Sequence, residues 1–144
     1  MTLTEVLKDE ARKRRVVDDA ATLVESEVAL RTGFSGLAVK AGYRAIQAVK
    51  PGVVEAALSA LLPEFAPAID PFYARAKESG NLRAWFTSHA DEIAEALLSV
   101  TDRRAAASSH ATLKRAYGGL RGSARREVAQ SVPALAGLIE KHVG

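Results

Sequence analysis

The segment that decides the fold is TGFSGLAVKAGYRAIQAVKPGVVEAALSALL, residues 32–62, the most apolar long stretch of the chain. We predict a helix that begins at Phe34 and ends at Val49, because its polar side chains recur at steps of four and three and form one narrow stripe: Lys40, Arg44 and Gln47. A helix with so wide an apolar arc is normally surrounded by neighbours. The sequence therefore predicts that this helix is the centre of the fold.

Gly36 and Gly42 lie inside this helix, where each glycine costs about 1 kcal/mol of helix propensity relative to alanine. That cost indicates that another backbone comes close at both positions. A tightly packed helix pair within the chain explains it. The alternative is a groove of small residues that accepts a partner helix or an apolar ligand. Lys50-Pro51-Gly52 then predicts a turn.

Capping signals predict further helices on both sides of this segment. Thr2 and Glu5 have the spacing of a capping box, and a second helix either starts at Asp18 and Asp19 or continues the first without a break. After the turn we expect a short helix at residues 53–62. Later helix starts are predicted at Asp70, Asn81 and Ser88.

Helix breakers divide the second half of the sequence. Pro63, Pro67 and Pro71 predict that no regular helix crosses this region, since each interior proline removes a hydrogen bond and costs about 3 kcal/mol. Further breaks are predicted at three later glycines: Gly118, Gly119 and Gly122.

The composition fits a single folded domain spanning residues 1–144, with 48% hydrophobic and 26% charged residues. Alanine is abundant, aromatic residues are few and no stretch shows the alternation of a strand, which favours helices. The sequence thus predicts an all-α fold, a compact bundle of roughly six to eight short helices around the central apolar helix.

No pattern of catalytic or ligand-binding residues stands out, so the sequence favours a non-catalytic protein with no metal and no cofactor. There is no cysteine, and GGLRGS at residues 118–123 lacks the lysine of a phosphate-binding loop. His89 has Asp91, Glu92 and Glu95 nearby, which makes it the best candidate for metal binding or acid–base chemistry. The same acids also fit an ordinary helix N-terminus.

Residues 103–126 contain seven cationic side chains and no acid. Together they predict a positive face able to neutralise phosphates, and the sequence pI of about 9.4 agrees with that use. The alternative is a solvated helix face that pairs with the acids of residues 5–10 and 91–95. The candidate anion-binding residues are Arg103, Arg104, Lys114, Arg115, Arg121, Arg125 and Arg126.

The proline-spaced segment carries aromatic side chains that are expected to come from short helical pieces. Such pieces cannot pack along continuous ridges, so they predict a concave apolar site. The alternative is that these side chains plug the end of the bundle. The candidate pocket residues are Phe65, Ile69, Phe72, Tyr73, Trp85 and Phe86.

The missing chemistry and the abundance of apolar helix surface favour an interaction module that acts through a protein partner or self-association. One alternative is binding of nucleic acid or acidic lipid headgroups by residues 103–126, and another is a carrier of a small apolar ligand. The amino-terminal residues mix acids and bases, and no uncharged run approaches the roughly 20 residues of a membrane span. A cytoplasmic location without a transmembrane segment is therefore expected.

Overall fold

The computed structural model describes residues 1–143, and of residues 34, 35 and 113 it describes the backbone alone. Within that part of the chain there are seven helices and no strand, which confirms the predicted all-α bundle. The helices are α1 (Leu3–Val6), α2 (Glu10–Leu30), α3 (Gly33–Gln47), α4 (Val53–Ser79), α5 (Leu82–Ser88), α6 (Ala90–Ala107) and α7 (Ala111–His142).

The first two helices begin at side-chain caps. The Thr2 hydroxyl accepts a hydrogen bond from the Glu5 N–H at 3.1 Å, as the capping box predicts. Asp70 of α4 also accepts from the Leu3 N–H at 3.1 Å, so it caps α1 from another helix instead of starting a helix of its own. Asp9 caps α2, which then runs without a break through residues 18 and 19.

Helix α4 contradicts the predicted breaks at Pro63, Pro67 and Pro71, because it passes through all three prolines. Spaced four residues apart, they lie on one exposed stripe, and the carbonyl groups that lose a donor are on the same water-facing side. The opposite side of α4 is buried in the core and holds the helix together. The short helix at residues 53–62 is therefore only the beginning of a longer one.

Helix α7 likewise continues through Gly118, Gly119 and Gly122, where breaks were predicted. These glycines are exposed, and a Cβ atom on any of them would meet nothing within 4 Å. The segment stays helical because side chains adjacent to the glycines bind α6: Tyr117 and Arg121 both donate hydrogen bonds to Asp102.

Helix α3 forms where the central helix was predicted, but it lies on the outside of the bundle. Leu37 is 63% exposed, and no apolar side chain described in this helix is buried. Its apolar arc consists largely of alanine, so its burial would contribute less free energy than that of the leucine, isoleucine and phenylalanine side chains of the later helices. The prediction that α3 is central was therefore wrong.

The hydrophobic core lies at one end of the bundle, which we call the packed end. It is formed by α1, the first half of α2, the second half of α4, α5, the first half of α6 and the second half of α7. Its largest fully buried side chains are Val6, Val16, Phe86, Ile93, Val132 and Ile139.

Candidate functional site

The other end of the molecule consists of residues 21–61 and 101–131, and we call it the open end. Among the side chains that the structure describes, none of the apolar ones in these two stretches is buried. The buried positions here are Arg31, Gly36 and Glu127. Apolar helices that meet without burying apolar side chains leave an incomplete hydrophobic layer.

Helix α3 presents an apolar face at the open end. The exposed apolar residues at positions 37, 38, 41, 45, 48 and 49 cover an arc of about 120° at roughly 100° per residue, and Ile46 lies outside this arc. The three most exposed large side chains in and after this helix, Leu37, Ile46 and Val49, are 63%, 44% and 68% exposed. We define the α3 face as Leu37, Ala38, Ala41, Ala45, Ala48 and Val49.

Helix α3 is attached along its inner side to α2 and α7. A Cβ on Gly36 would lie 2.7 Å from the Arg31 backbone, which confirms the predicted close approach. A Cβ on Gly42 would lie 3.3 Å from Leu120 of α7. Since Arg31 contacts Glu127 and Gly42 faces Leu120, α3 and α7 run antiparallel.

Charges of both signs lie around α3. Residues 28–54 contain no acid, and Lys40 and Arg44 form a cationic edge on α3. A groove of about 430 Å³ between α2, α3 and α4 is lined by three carboxylates together with Tyr43 and Lys50. Burial and then the charges of two of these acids raise the pKa of the Tyr43 hydroxyl. The carboxylates belong to Asp18, Glu25 and Glu55.

Four of the seven candidate anion-binding residues are in ion pairs. Arg104 contacts Glu64, and Arg121 contacts both Asp102, at 2.9 Å, and Glu95. Arg125 also reaches Glu95, at 3.9 Å, and Arg126 lies 4.0 Å from Glu127. The remaining three, Arg103, Lys114 and Arg115, are exposed. Of the four paired residues, Arg104, Arg125 and Arg126 are exposed as well, so anion binding by residues 103–126 stays a prediction.

The Asp102 carboxylate organises the contact between α6 and α7. Hydrogen bonds from Arg121 and then from Tyr117 hold the pKa of this carboxyl below its usual value. Burial, followed by the hydrogen bond to Asp102, raises the pKa of the Tyr117 hydroxyl, which also lies 2.7 Å from the Thr101 hydroxyl. This cluster is a structural clamp, because each of its polar groups has a partner within the chain.

The six candidate pocket residues are placed in or against the core of the packed end. Ile69, Tyr73 and Phe86 are buried, while Phe65, Phe72 and Trp85 pack against them. Trp85 contacts the rings of Phe72 and Phe86 at centroid distances of 6.3 and 6.0 Å. These side chains therefore plug the end of the bundle, although Tyr73 also borders a groove near Gly80.

His89 is held in a structural role. Its ring stacks on Trp85 at 3.8 Å between centroids, and its Nδ1 lies 2.8 Å from the Trp85 carbonyl oxygen. In the part of the chain that the structure describes, no group of three acidic or histidine side chains is arranged to hold a metal ion. Ser88 does not start α6 as predicted, since it lies in α5 and its hydroxyl donates to the Trp85 carbonyl. Helix α6 begins at Ala90, and the preceding His89 makes no side-chain capping hydrogen bond.

Sequence reasoning missed the acidic groove and the buried pair of Arg31 and Glu127. The groove carboxylates are separated along the chain, and they meet only because α2 and α4 flank α3. One signal was present: the acid-free residues 28–54 are bracketed by Glu27 and Glu55. No sequence pattern marked the α3 face as exposed, because an apolar arc looks the same whether a neighbouring helix covers it or not.

Comparisons with known proteins place the chain in a family without naming an activity. None of the helices in the described residues is both long and apolar enough to cross a membrane. No curated protein and no solved structure matches the sequence. A family model does match, over residues 3–143. The chain therefore belongs to the family of unknown function DUF6918.

Proposed function

We propose that this protein is a non-catalytic helical interaction module that self-associates through the α3 face. The observation that carries the proposal is the open end itself: an apolar helix face is exposed in a part of the molecule where none of the described apolar side chains is buried. Contiguous exposed apolar patches on folded chains mark contact sites. A second copy would supply the missing hydrophobic layer.

The surface area supports a protein as the occupant. The chain exposes 8369 Å², whereas the scaling for folded monomers gives about 7,100 Å² for 15.3 kDa. The excess of roughly 1,200 Å² exceeds the approximately 800 Å² that each partner contributes to a standard interface. An interface on the open end would bring the exposed area back to that of an ordinary folded protein.

The charges at the open end favour a second copy over an anionic partner. In an isologous dimer the same patch lies on both sides of the interface, so it must be complementary to itself. Helix α3 carries the cationic edge of Lys40 and Arg44, and one groove beside this helix holds the carboxylates of Asp18, Glu25 and Glu55. Each copy therefore carries both positive and negative side chains that can pair with those of the other copy. A surface of acidic lipids or a nucleic acid would be repelled by the same carboxylates.

Sedimentation equilibrium of the wild type and of Leu37→Glu tests the proposal. A charge on the α3 face would be buried in the dimer, so Leu37→Glu is expected to be monomeric where the wild type is dimeric. Ala74→Glu is the matched control, because Ala74 is exposed on α4 near the packed end. Circular dichroism confirms that each variant is folded.

A wild-type protein that stays monomeric up to about 100 μM, where a dimer with a Kd of roughly 10 μM would be well populated, contradicts the proposal. Dimerisation that persists unchanged in Leu37→Glu would also contradict it, because the contact would then lie elsewhere on the surface.

A further inference from the structure

A second surface feature lies at the packed end, where the first turns of α2 meet the last turn of α7. Arg12 and Arg15 are three residues apart on α2 and share one side of that helix. They line a groove of about 520 Å³ together with Lys141 and His142 of α7. The remaining walls of the groove are apolar: Met1, Val6 and Val143.

The groove carries a surplus of positive charge. None of its lining residues is acidic. The nearest carboxylate to Lys141 and His142 is Asp19, whose Oδ2 lies 2.8 Å from Lys141 Nζ and 2.7 Å from His142 Nε2. One carboxylate thus holds both side chains in place. Arg15 has no ion-pair or hydrogen-bond partner for its side chain among the residues that the structure describes.

Arg12 and Arg15 lie near the N-terminus of α2, where the helix dipole destabilises cations. The N-terminus of a helix carries a partial positive charge that stabilises acids and destabilises cations. Residues 12–15 nevertheless read RKRR in the first two turns of α2. Arg12 has one weak ion pair, at 3.9 Å from Asp9. Cations gathered against the helix dipole and against each other gain free energy when an anion binds between them.

We propose that this groove binds a phosphate ester with a short apolar substituent. The guanidinium groups of Arg12 and Arg15 suit the phosphate oxygens, because their N–H groups form a planar fork that binds two oxygens together. Lys141 of α7 also lines the groove, where its ammonium group is held by Asp19. The side chains of Met1, which is 58% exposed, and Val143 offer an apolar surface for the substituent. The volume falls within the range of small-molecule sites.

The test is a titration of the ¹⁵N-labelled full chain with n-butyl phosphate, followed by NMR through the Nε–Hε signals of Arg12 and Arg15. Saturable shifts of these signals are expected, and inorganic phosphate should bind more weakly because it lacks the apolar group. The double variant Arg12→Gln/Arg15→Gln is expected to lose at least about tenfold in affinity. If the signals show no saturable shift at n-butyl phosphate concentrations up to about 10 mM, the proposal is overturned. Binding with a free energy of only a few kcal/mol would already be detected at that concentration.

Lys13 and Arg14, in the same RKRR run, provide a matched control for Arg12 and Arg15. Lys13→Gln/Arg14→Gln removes the same charge from the same turn of α2, and neither residue lines the groove. We expect less than a twofold change in the control. An equal loss in both double variants would reduce the effect to general electrostatic attraction and contradict a defined site. Arg12→Lys/Arg15→Lys keeps the charge, and it should bind with intermediate affinity because it lacks the fork.

A phosphate ester can reach the groove as a free molecule or as a lipid headgroup. Flotation with phosphatidylcholine vesicles, with and without phosphatidic acid, distinguishes the two sources. If the protein floats only with vesicles that contain phosphatidic acid, and the variant Arg12→Gln/Arg15→Gln does not float, the ligand of the groove is a lipid headgroup. Saturable binding of n-butyl phosphate without flotation assigns a soluble ester.

Discussion

Arg31 and Glu127 form a buried ion pair that joins the α2–α3 connection to α7. Their side chains are 8% and 10% exposed, with Arg31 Nη1 lying 3.8 Å from Glu127 Oε2 and donating to the Glu127 carbonyl oxygen at 3.2 Å. Arg31 also donates to Gln130 at 2.9 Å and to the Glu27 carbonyl oxygen at 3.0 Å. The open end is thus attached through polar contacts where the packed end uses apolar ones.

Replacing Arg31 by leucine should lower the free energy of unfolding by about 3–5 kcal/mol, because it removes a buried guanidinium that pairs with the carboxylates of Glu27, at 3.4 Å, and Glu127, at 3.8 Å. Urea denaturation measures the change. Arg31→Leu/Glu127→Leu should recover part of the loss, since one of the two carboxylates that pair with Arg31 is then removed as well. Arg103→Leu, at an exposed position, should change stability by less than about 0.5 kcal/mol. Equal effects at Arg31 and Arg103 would contradict the role of the buried pair.

The glycines of α7 should respond to alanine in the stabilising direction. Gly118→Ala, Gly119→Ala and Gly122→Ala should each raise the free energy of unfolding by about 0.5–1 kcal/mol, because each added Cβ meets open space and restricts the unfolded chain. Gly80→Ala should do the opposite, since Gly80 ends α4 with φ of 82°. Urea denaturation of the triple variant checks the sum. A less stable triple variant would show that these positions are covered.

The Asp102 clamp predicts a stability that depends on pH. The pKa of Asp102 is lower in the folded protein than in the unfolded chain, so its contribution is present above about pH 4, the ordinary carboxyl value, and is lost as the pH falls through the folded value. The difference in melting temperature between the wild type and Asp102→Asn should therefore be clear at pH 7 and shrink towards pH 3. Asp18→Asn, at an exposed carboxylate, serves as the control. A difference that stays constant with pH would contradict the clamp.

Gly42 offers a test of how α3 is attached. Its Cβ position lies 3.3 Å from Leu120 Cδ1, so Gly42→Leu should overpack this contact and cost about 1–3 kcal/mol. Thermal melting gives the sign directly. Leu120→Ala in the same chain should relieve part of the loss, because the two changes act on one contact. A higher melting temperature for Gly42→Leu would mean that α3 does not pack on α7 at this position.

Much of the helix pattern was predictable from local chemistry. The caps at Thr2 and Asn81 and the turn at Gly52 all appear where the sequence indicates, because each depends on residues within a few positions of one another. The same local rules failed at Pro67 and Gly119. There the penalty of a helix breaker was real but smaller than the stabilisation from the opposite face of α4 and from the contacts of α7 with α6.

The sequence by itself determined that this chain is helical, where most of its turns lie and which residues are apolar. Only the tertiary structure decided which apolar face is covered. The periodicity of α3 indicates that one side of the helix is apolar. Whether that side is buried depends on how much free energy the other helices gain by occupying the core instead. Larger side chains of α4 to α7 occupy the core, so the alanine-rich α3 remains outside. The groove at Arg12 and His142 follows for the same reason, since residues 130 positions apart meet only through packing.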